Sequence, residues 1–210
     1  MARVVIADDH SVVRAGVKQI LSEHRDLEVV AEARDALELL SLLKVTRCDL
    51  VLLDITMPGR SGLEVLGDLT WGAGAPRVLV LSMHPEADYA LRVLKAGAAG
   101  YVTKDNAAEE LVPAIRKVLS GRRYVSASLA EKLAAELVGD DGAPPHHSLS
   151  NREFEIVRQI VAGRTVSEIG NDLCLSPKTV STYRARALQK LGVTSNVELT
   201  RYALKHGLME

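Results

Sequence analysis

A chain of 210 residues is long enough for two compact domains or one large one. Its 47% hydrophobic and 25% charged residues are those of a globular protein in water, and no apolar run approaches the ~18 residues of a membrane span. The net charge of −1 conceals an asymmetry: residues 148–210 carry nine Lys/Arg against six Asp/Glu, and residues 1–147 seventeen against twenty-one. That split fits an acidic metal or phosphate module joined to a basic nucleic-acid reader. Cys48 and Cys174 stand alone, without CxxC spacing, so two buried thiols in a reducing cytoplasm are expected. Met1 leads straight into an apolar strand, so no signal peptide is expected and the reading is cytoplasmic, with no membrane partner.

In chain order, apolar runs at 3–7, 27–33, 49–54, 77–82 and 100–103 predict strands. Amphipathic stretches near 11–24, 35–46, 62–69, 86–96 and 107–119 predict the helices between them. The runs Val4 to Ala7 and Leu50 to Leu53 show no polar alternation, as strands buried on both faces require. Five such βα units imply a flavodoxin-like, doubly wound five-stranded parallel sheet, an α/β domain expected over 1–121. Trp71, ahead of the fourth strand, is expected at the pole opposite the strands' carboxyl ends. A short helix over 126–138 and an exposed linker over 139–147 are predicted next, giving a connecting segment 122–147. His146 and His147 lack further Cys or His at ligand spacing, which argues against a metal site there.

Residues 148–210 read as an all-α domain with helices near 150–162, 165–173, 176–191 and 195–206. Ser150/Glu153, Thr165/Glu168 and Ser195/Glu198 have the spacing of capping boxes, and Ser176-Pro177 pairs a capping serine with a proline at the first helical position. Residues 165–191 are then helix, tight turn, helix. Val166, Ile169, Leu173, Val180, Ala187, Leu188 and Leu191 face a core, and Leu175 plugs the turn. The other face of the second helix presents Lys178, Ser181, Thr182, Ala185, Arg186 and Gln189, a surface suited to a major groove or to plain solvation.

The chemistry gathers at the strand ends. Asp8 and Asp9 follow the first run, Asp54 the third, Ser82 closes the fourth and Lys104 follows the fifth. In doubly wound sheets ligands sit at the carboxyl ends of the strands, so the topology collects these five residues at one pole. Crowded carboxylates favour a divalent cation, and an all-oxygen set suits Mg²⁺. Asp54 is then placed to accept a phosphoryl group, Lys104 to pair with a phosphoryl oxygen, and Ser82 to donate to another.

The motifs IADDH, LLDITMPGRSGLE, LVLSMH and GAAGYVTKD make residues 2–120 resemble the receiver domain of two-component response regulators. The resemblance implies Asp54 as phosphoacceptor, with Mg²⁺ on Asp9, Asp54 and the Thr56 carbonyl and with Asp8 acting through water. It also implies Ser82 as switch hydroxyl, Lys104 as phosphate-binding lysine and Tyr101 as the switch aromatic, with the loop 83–86 moving between states. Residues 148–206 resemble the LuxR-type helix-turn-helix of the NarL/FixJ class, from the Leu149-to-Glu153 start through Gly163, Thr179-Val180 and Lys190 to Gly192. This implies DNA contacts from Lys178, Thr179, Ser181, Thr182, Tyr183, Ala185, Arg186, Gln189 and Lys190, with homodimers on two-fold related half-sites. Three departures stand out: Gly170 for the usual alanine, Tyr183 where histidine is frequent, and Arg184 at an often apolar position, where it is expected to reach toward phosphate.

The expected function is a DNA-binding transcriptional response regulator and not an enzyme, phosphorylated on Asp54 by a sensor histidine kinase. RNA polymerase is a further expected partner. Phosphorylation would act by dimerisation or by freeing the helix-turn-helix domain. Two rival functions remain on the residues. An aspartyl-phosphate hydrolase would carry an acid two residues after its nucleophile, where Thr56 stands, and a partner-docking helical tail would never touch DNA.

Overall fold

The computed structural model describes residues 1–69, 74–83, 86–126, 129–131, 144–206 and 208, with only the backbone of 86–88. Trp71, part of the loop 83–86, most of the predicted helix 126–138 and the linker up to 143 lie outside the described residues. The chain forms two compact units, Met1–Ala135 and Glu136–Glu210.

The first unit alternates strand and helix: β1 (Ala2–Ala7), α1 (Ser11–Ser22), β2 (Leu27–Ala33), α2 (Ala36–Val45), β3 (Leu50–Leu53), α3 (Gly62–Leu69), β4 (Arg77–Ser82), α4 (Glu86–Lys95), β5 (Gly100–Thr103) and α5 (Ala107–Leu119). All pairings are parallel, in the order β2-β1-β3-β4-β5, so the winding reverses between β1 and β3. Every residue of β3 is buried, as are the last four of β1 and the last five of β4. The unbroken apolar runs arise because helices cover both faces of these central strands.

Register aligns the strand ends. Ala7 pairs with Leu53 and Leu53 with Val80, so the residues after β1 and β3 are neighbours at the reversal. Tyr101 pairs with Val80, and Ser82 lies two residues further along β4, opposite Thr103. Past the expected end of the domain at 121, Tyr124 forms a parallel bridge to Gly100, and its N–H donates to Ala99 O at 2.8 Å. A Cβ at Gly100 would lie 2.7 Å from Tyr124 O, so this approach needs glycine.

In the second unit the helices are α6 (Asn151–Val161), α7 (Val166–Asp172), α8 (Pro177–Leu191) and α9 (Asn196–Lys205). Ser150/Glu153 and Thr165/Glu168 form complete capping boxes, and Ser176 accepts from Thr179 N–H. The third predicted box is only half made. Ser195 accepts from Glu198 N–H, but the Glu198 carboxylate takes the N–H and hydroxyl of Thr194, each within 2.8 Å. Thr194 and Ser195 carry the same two donors, and the backbone path places those of Thr194 on that carboxylate.

The turn between α7 and α8 depends on Gly170. Its carbonyl accepts from Leu175 N–H at 2.8 Å, and an added Cβ would lie 2.7 Å from Leu175 O. Glycine at this departure from the family pattern is therefore a packing requirement. Cys174 in the same turn has φ of 53°, a left-handed conformation that L side chains adopt at a cost; the turn leaves its thiol exposed, and Cys48 is half-buried, so neither is buried as expected. Ile169, Leu173, Val180, Ala187, Leu188 and Leu191 are buried beneath the turn, while Val166 and Leu175 are half-buried.

Candidate phosphoryl-acceptor site and nucleic-acid interface

The fold brings the predicted acids together. Lys104 begins a 3-10 turn (Lys104–Asn106) directly after β5, and its Nζ lies 2.7 Å from Asp8 Oδ2 and 2.7 Å from Asp54 Oδ2. All three side chains are secluded, at 6%, 3% and 2% exposure. Thr56 N–H donates to Asp54 Oδ1 at 3.2 Å, and the Thr56 side chain is exposed. Gly62 closes the loop behind Asp54: its N–H donates to Ile55 O at 2.9 Å, and a Cβ there would overlap the Asp54 carbonyl oxygen. Ser82 and Tyr101 are fully buried.

The electrostatics follow from this seclusion. Burial pushes the Asp54 carboxyl up to about 6, against the pull of Lys104 and with some help from Asp8. Burial also works against the charge on Lys104, but the carboxylates of Asp54 and Asp8 outweigh it and raise the ammonium above its ordinary value. A charged lysine thus spans two carboxylates, one of which ionises only near neutrality.

Asp9 is exposed, and what meets it is His10, whose Nδ1 lies 2.9 Å from Asp9 Oδ1 and 3.4 Å from Asp8 Oδ1. His10 N–H donates to Asp8 Oδ1 at 2.8 Å, and Arg14 Nη1 to Asp8 O at 2.8 Å. Neither His10 nor Arg14 was singled out from the sequence. The signal for His10 was its place directly after the acid pair, whereas Arg14 reaches back one helical turn with nothing in the sequence to mark it. One ligand atom from each of Asp8, Asp9, His10 and Asp54 falls within 4.8 Å of the others, a donor set that fits a divalent cation.

In the second unit the structure places Lys178, Ser181, Thr182, Ala185, Arg186, Gln189 and Lys190 exposed on α8, with Thr179 and Tyr183 half-buried. Several have partners within the unit. Ser181 Oγ donates to Pro177 O at 2.8 Å and Thr182 Oγ1 to Lys178 O at 2.9 Å. Lys190 Nζ donates to Glu153 Oε2 at 2.6 Å, tying α8 to the α6 capping box. Burial of the Glu153 carboxyl opposes its charge, but Lys190 and Ser150 together hold it below the usual range. Arg184, expected to reach toward phosphate, donates from Nε to Asn196 Oδ1 at 2.7 Å at the start of α9.

Residues 4–116 match the response regulator receiver domain, and residues 147–203 match the luxR family of bacterial regulatory proteins. The chain belongs to the two-component response regulators that join a receiver to a LuxR-type helix-turn-helix. Within that family it is 39% identical over 209 residues to the response regulator UvrY of Escherichia coli K12, covering 99% of this chain and 96% of that one. It is 40% identical over 211 residues to the response regulator GacA of Pseudomonas aeruginosa PAO1, covering 100% and 99%. A solved structure of RcsB from Salmonella enterica serovar Typhimurium, bound to promoter rprA with the phosphomimetic BeF3−, superposes with a TM-score of 0.68. It is 29% identical to this chain, over 96% of it and 98% of that structure's chain.

Proposed function

We propose that Asp54 accepts a phosphoryl group from the phosphohistidine of a sensor kinase and that α8 reads duplex DNA, in a cytoplasmic transcriptional regulator. The observation that carries this is the buried lysine held 2.7 Å from two strand-end carboxylates. No structural need of the sheet calls for three acids there, and a lysine that bridges carboxylates can equally bridge a carboxylate and a phosphoryl oxygen.

Asp54 Oδ attacks phosphorus while the P–N bond of the donor breaks and its electron pair returns to the imidazole nitrogen. Lys104 leaves the free carboxylate oxygens for a phosphoryl oxygen, and the Ser82 hydroxyl donates to another. Asp9, Asp54 and the Thr56 carbonyl would hold Mg²⁺, with Asp8 acting through water; when bound, the ion neutralises charge gathering on the phosphoryl oxygens. Tyr101 then follows Ser82 inward, and this rearrangement biases the state of the output domain. The chain acts as an acceptor and not a turnover catalyst. The domains run over 1–121 and 148–210, joined through 122–147.

On the DNA side, Arg186 and Lys178 supply base and phosphate contacts, with Thr179, Ser181, Thr182, Tyr183, Ala185, Gln189 and Lys190 completing the surface. The RcsB complex with promoter DNA supports this reading, as does the exposure of the α8 face. A homodimer would place two such helices on two-fold related half-sites, with RNA polymerase as a further partner at the promoter.

Incubation with acetyl phosphate and Mg²⁺ should label the parent chain and not Asp54→Asn; label retained on that variant would move the acceptor elsewhere. DNA binding should differ with and without beryllofluoride, and equal affinity and salt slope in both states would remove the switch. Replacing Lys178 and Arg186 with Ala should weaken binding and lower the salt slope by about 1 per lost phosphate contact. Unchanged binding would favour a partner-docking role for the helical unit.

A further inference from the structure

We propose that the pairing of Tyr124 with Gly100 is the coupling through which movement at the switch residues reaches the segment leading to the helix-turn-helix. The inference rests on reading Asp54 as the acceptor, with Ser82 and Tyr101 responding to it. It deepens that reading by naming the way out of the receiver.

β5 is the edge strand of the sheet, with β4 on its inner side. On its outer side the backbone of Tyr124 takes the place of a sixth strand. Tyr124 N–H donates to Ala99 O at 2.8 Å, and Tyr124 O accepts from Tyr101 N–H at 3.3 Å. The chain is turned onto this path after α5 by Gly121, with φ of 86°. Lys117 on α5 holds its ammonium 5.5 Å from the centre of the Tyr124 ring, which fastens the returning chain to the helix it has just left. Beyond the bridge comes a capped helical turn. Ser126 Oγ accepts from Leu129 N–H at 3.1 Å and Ser126 O from Ala130 N–H at 3.0 Å, and Leu129 is buried. The start of the connecting segment is thus held on the receiver at the strand that carries Tyr101.

A plain cover for an exposed strand edge would need no more than one such pairing. Two observations give the bridge a further role. The residue that closes it is Tyr101, whose ring is also the one expected to follow Ser82. Tyr101 and Ser82 are 1% and 0% exposed, and in a close-packed interior such a ring moves only if the backbone beside it gives way. Tyr124 sits directly against that backbone, since a Cβ at Gly100 would lie 2.7 Å from Tyr124 O and 2.9 Å from Tyr124 Cβ. The second observation is that the two bonds are unequal. At 3.3 Å the bond from Tyr101 lies just past the usual N–H···O range, whereas the bond to Ala99 at 2.8 Å lies well inside it. A small shift of β5 therefore makes or breaks the Tyr101 bond while the Ala99 bond holds, and the chain leaving Tyr124 changes direction.

The test uses the full-length chain, with beryllofluoride and Mg²⁺ as the phosphoryl mimic. Amide exchange at Tyr124, followed by NMR, should change by about fivefold or more when the mimic is added to the parent, and not in Asp54→Asn. Tyr124→Pro lacks the N–H given to Ala99 O. It should still be labelled by acetyl phosphate, while its ratio of DNA affinities with and without the mimic falls toward one, from the roughly five- to 150-fold of an allosteric coupling. Tyr124→Ala keeps both backbone bonds and should keep most of that ratio. A parental ratio in Tyr124→Pro, or a loss in Tyr124→Ala as large as in the proline variant, overturns the role of the bridge while the switch reading stands. So does unchanged Tyr124 exchange in the parent, a measurement that decides the matter even where the proline variant does not fold. Equal DNA affinity of the parent with and without the mimic overturns the switch reading itself, and the bridge with it.

Discussion

Replacing Lys104 with methionine keeps most of the apolar stem and deletes the charge that holds Asp8 and Asp54 together at 2.7 Å each. Taking one partner from a buried ion pair costs about 3–5 kcal/mol, because the remaining charge is left without compensation. The pH dependence separates this from a simple packing loss. Even with the lysine present, burial holds the Asp54 carboxyl at about 6 against an ordinary 3.8. At 1.36 kcal/mol per pH unit, ionising it costs the folded chain roughly 3 kcal/mol. A folded-state value above the unfolded one means that the native state binds the extra proton. Stability therefore falls as pH rises from about 4 through about 6, and stays lower above. Lys104 pulls that value down, so its loss pushes it higher and widens the window.

The variant should accordingly fall short by about 3–5 kcal/mol near pH 8 and by clearly less near pH 5, where Asp54 is protonated in both and only Asp8 loses its partner. Urea unfolding of the full chain at the two pH values, with and without Mg²⁺, measures this, and the cation should restore most of the deficit at the higher pH. An equal loss at both pH values would show that methionine merely packs badly. A variant as stable as its parent near pH 8 without a cation would refute the electrostatic argument altogether.

Three further outcomes are expected in the second unit. Gly170→Ala gains about 1 kcal/mol of helix propensity but drives a methyl toward Leu175 O, 2.7 Å away, so a net loss of about 1–3 kcal/mol should appear in its unfolding transition. Cys174→Gly relieves a left-handed φ of 53° and should raise stability by about 0.5–1 kcal/mol after the entropy of glycine in the unfolded chain is counted. The Glu153 carboxyl lies below its ordinary value in the folded state, so its contribution is present above pH 4.5 and is lost as pH falls through the depressed value. Glu153→Gln should flatten that acid limb in a pH series of unfolding curves; an unaltered limb would assign the acid sensitivity to other groups.

The strands of the receiver were legible because β1, β3 and β4 are covered on both sides, which leaves no polar alternation to confuse the pattern. The pole was legible for a related reason: a charged residue at the end of a buried strand has few structural explanations. What the sequence hid are choices between equivalent partners. Glu198 had Ser195 and Thr194 within reach, and only the backbone path decides for Thr194. Arg184 had a polar helix end beside it, and Asn196 satisfies it there. The edge bridge of Tyr124 to Gly100 carries no apolar run to announce it, since it consists of a single pairing.

The partner of the acids was hidden in a more instructive way. Repulsion among Asp8, Asp9 and Asp54 implies a cation, and elementary electrostatics does not say whether that cation is an ion from solvent or a side chain 50 residues away. The structure gives Lys104 to two of the three acids and leaves Asp9 with His10. If the pole works as proposed, the two cationic roles then differ in kind. A divalent ion entering on the Asp9 side meets oxygens that the lysine does not touch, whereas a phosphoryl oxygen on Asp54 competes directly for the ammonium. One lysine can thus hold the resting site together and be drawn away by phosphorylation, with the ion remaining throughout. That competition requires the lysine to stay charged while buried, and the two carboxylates that raise its affinity for a proton are what keep it so.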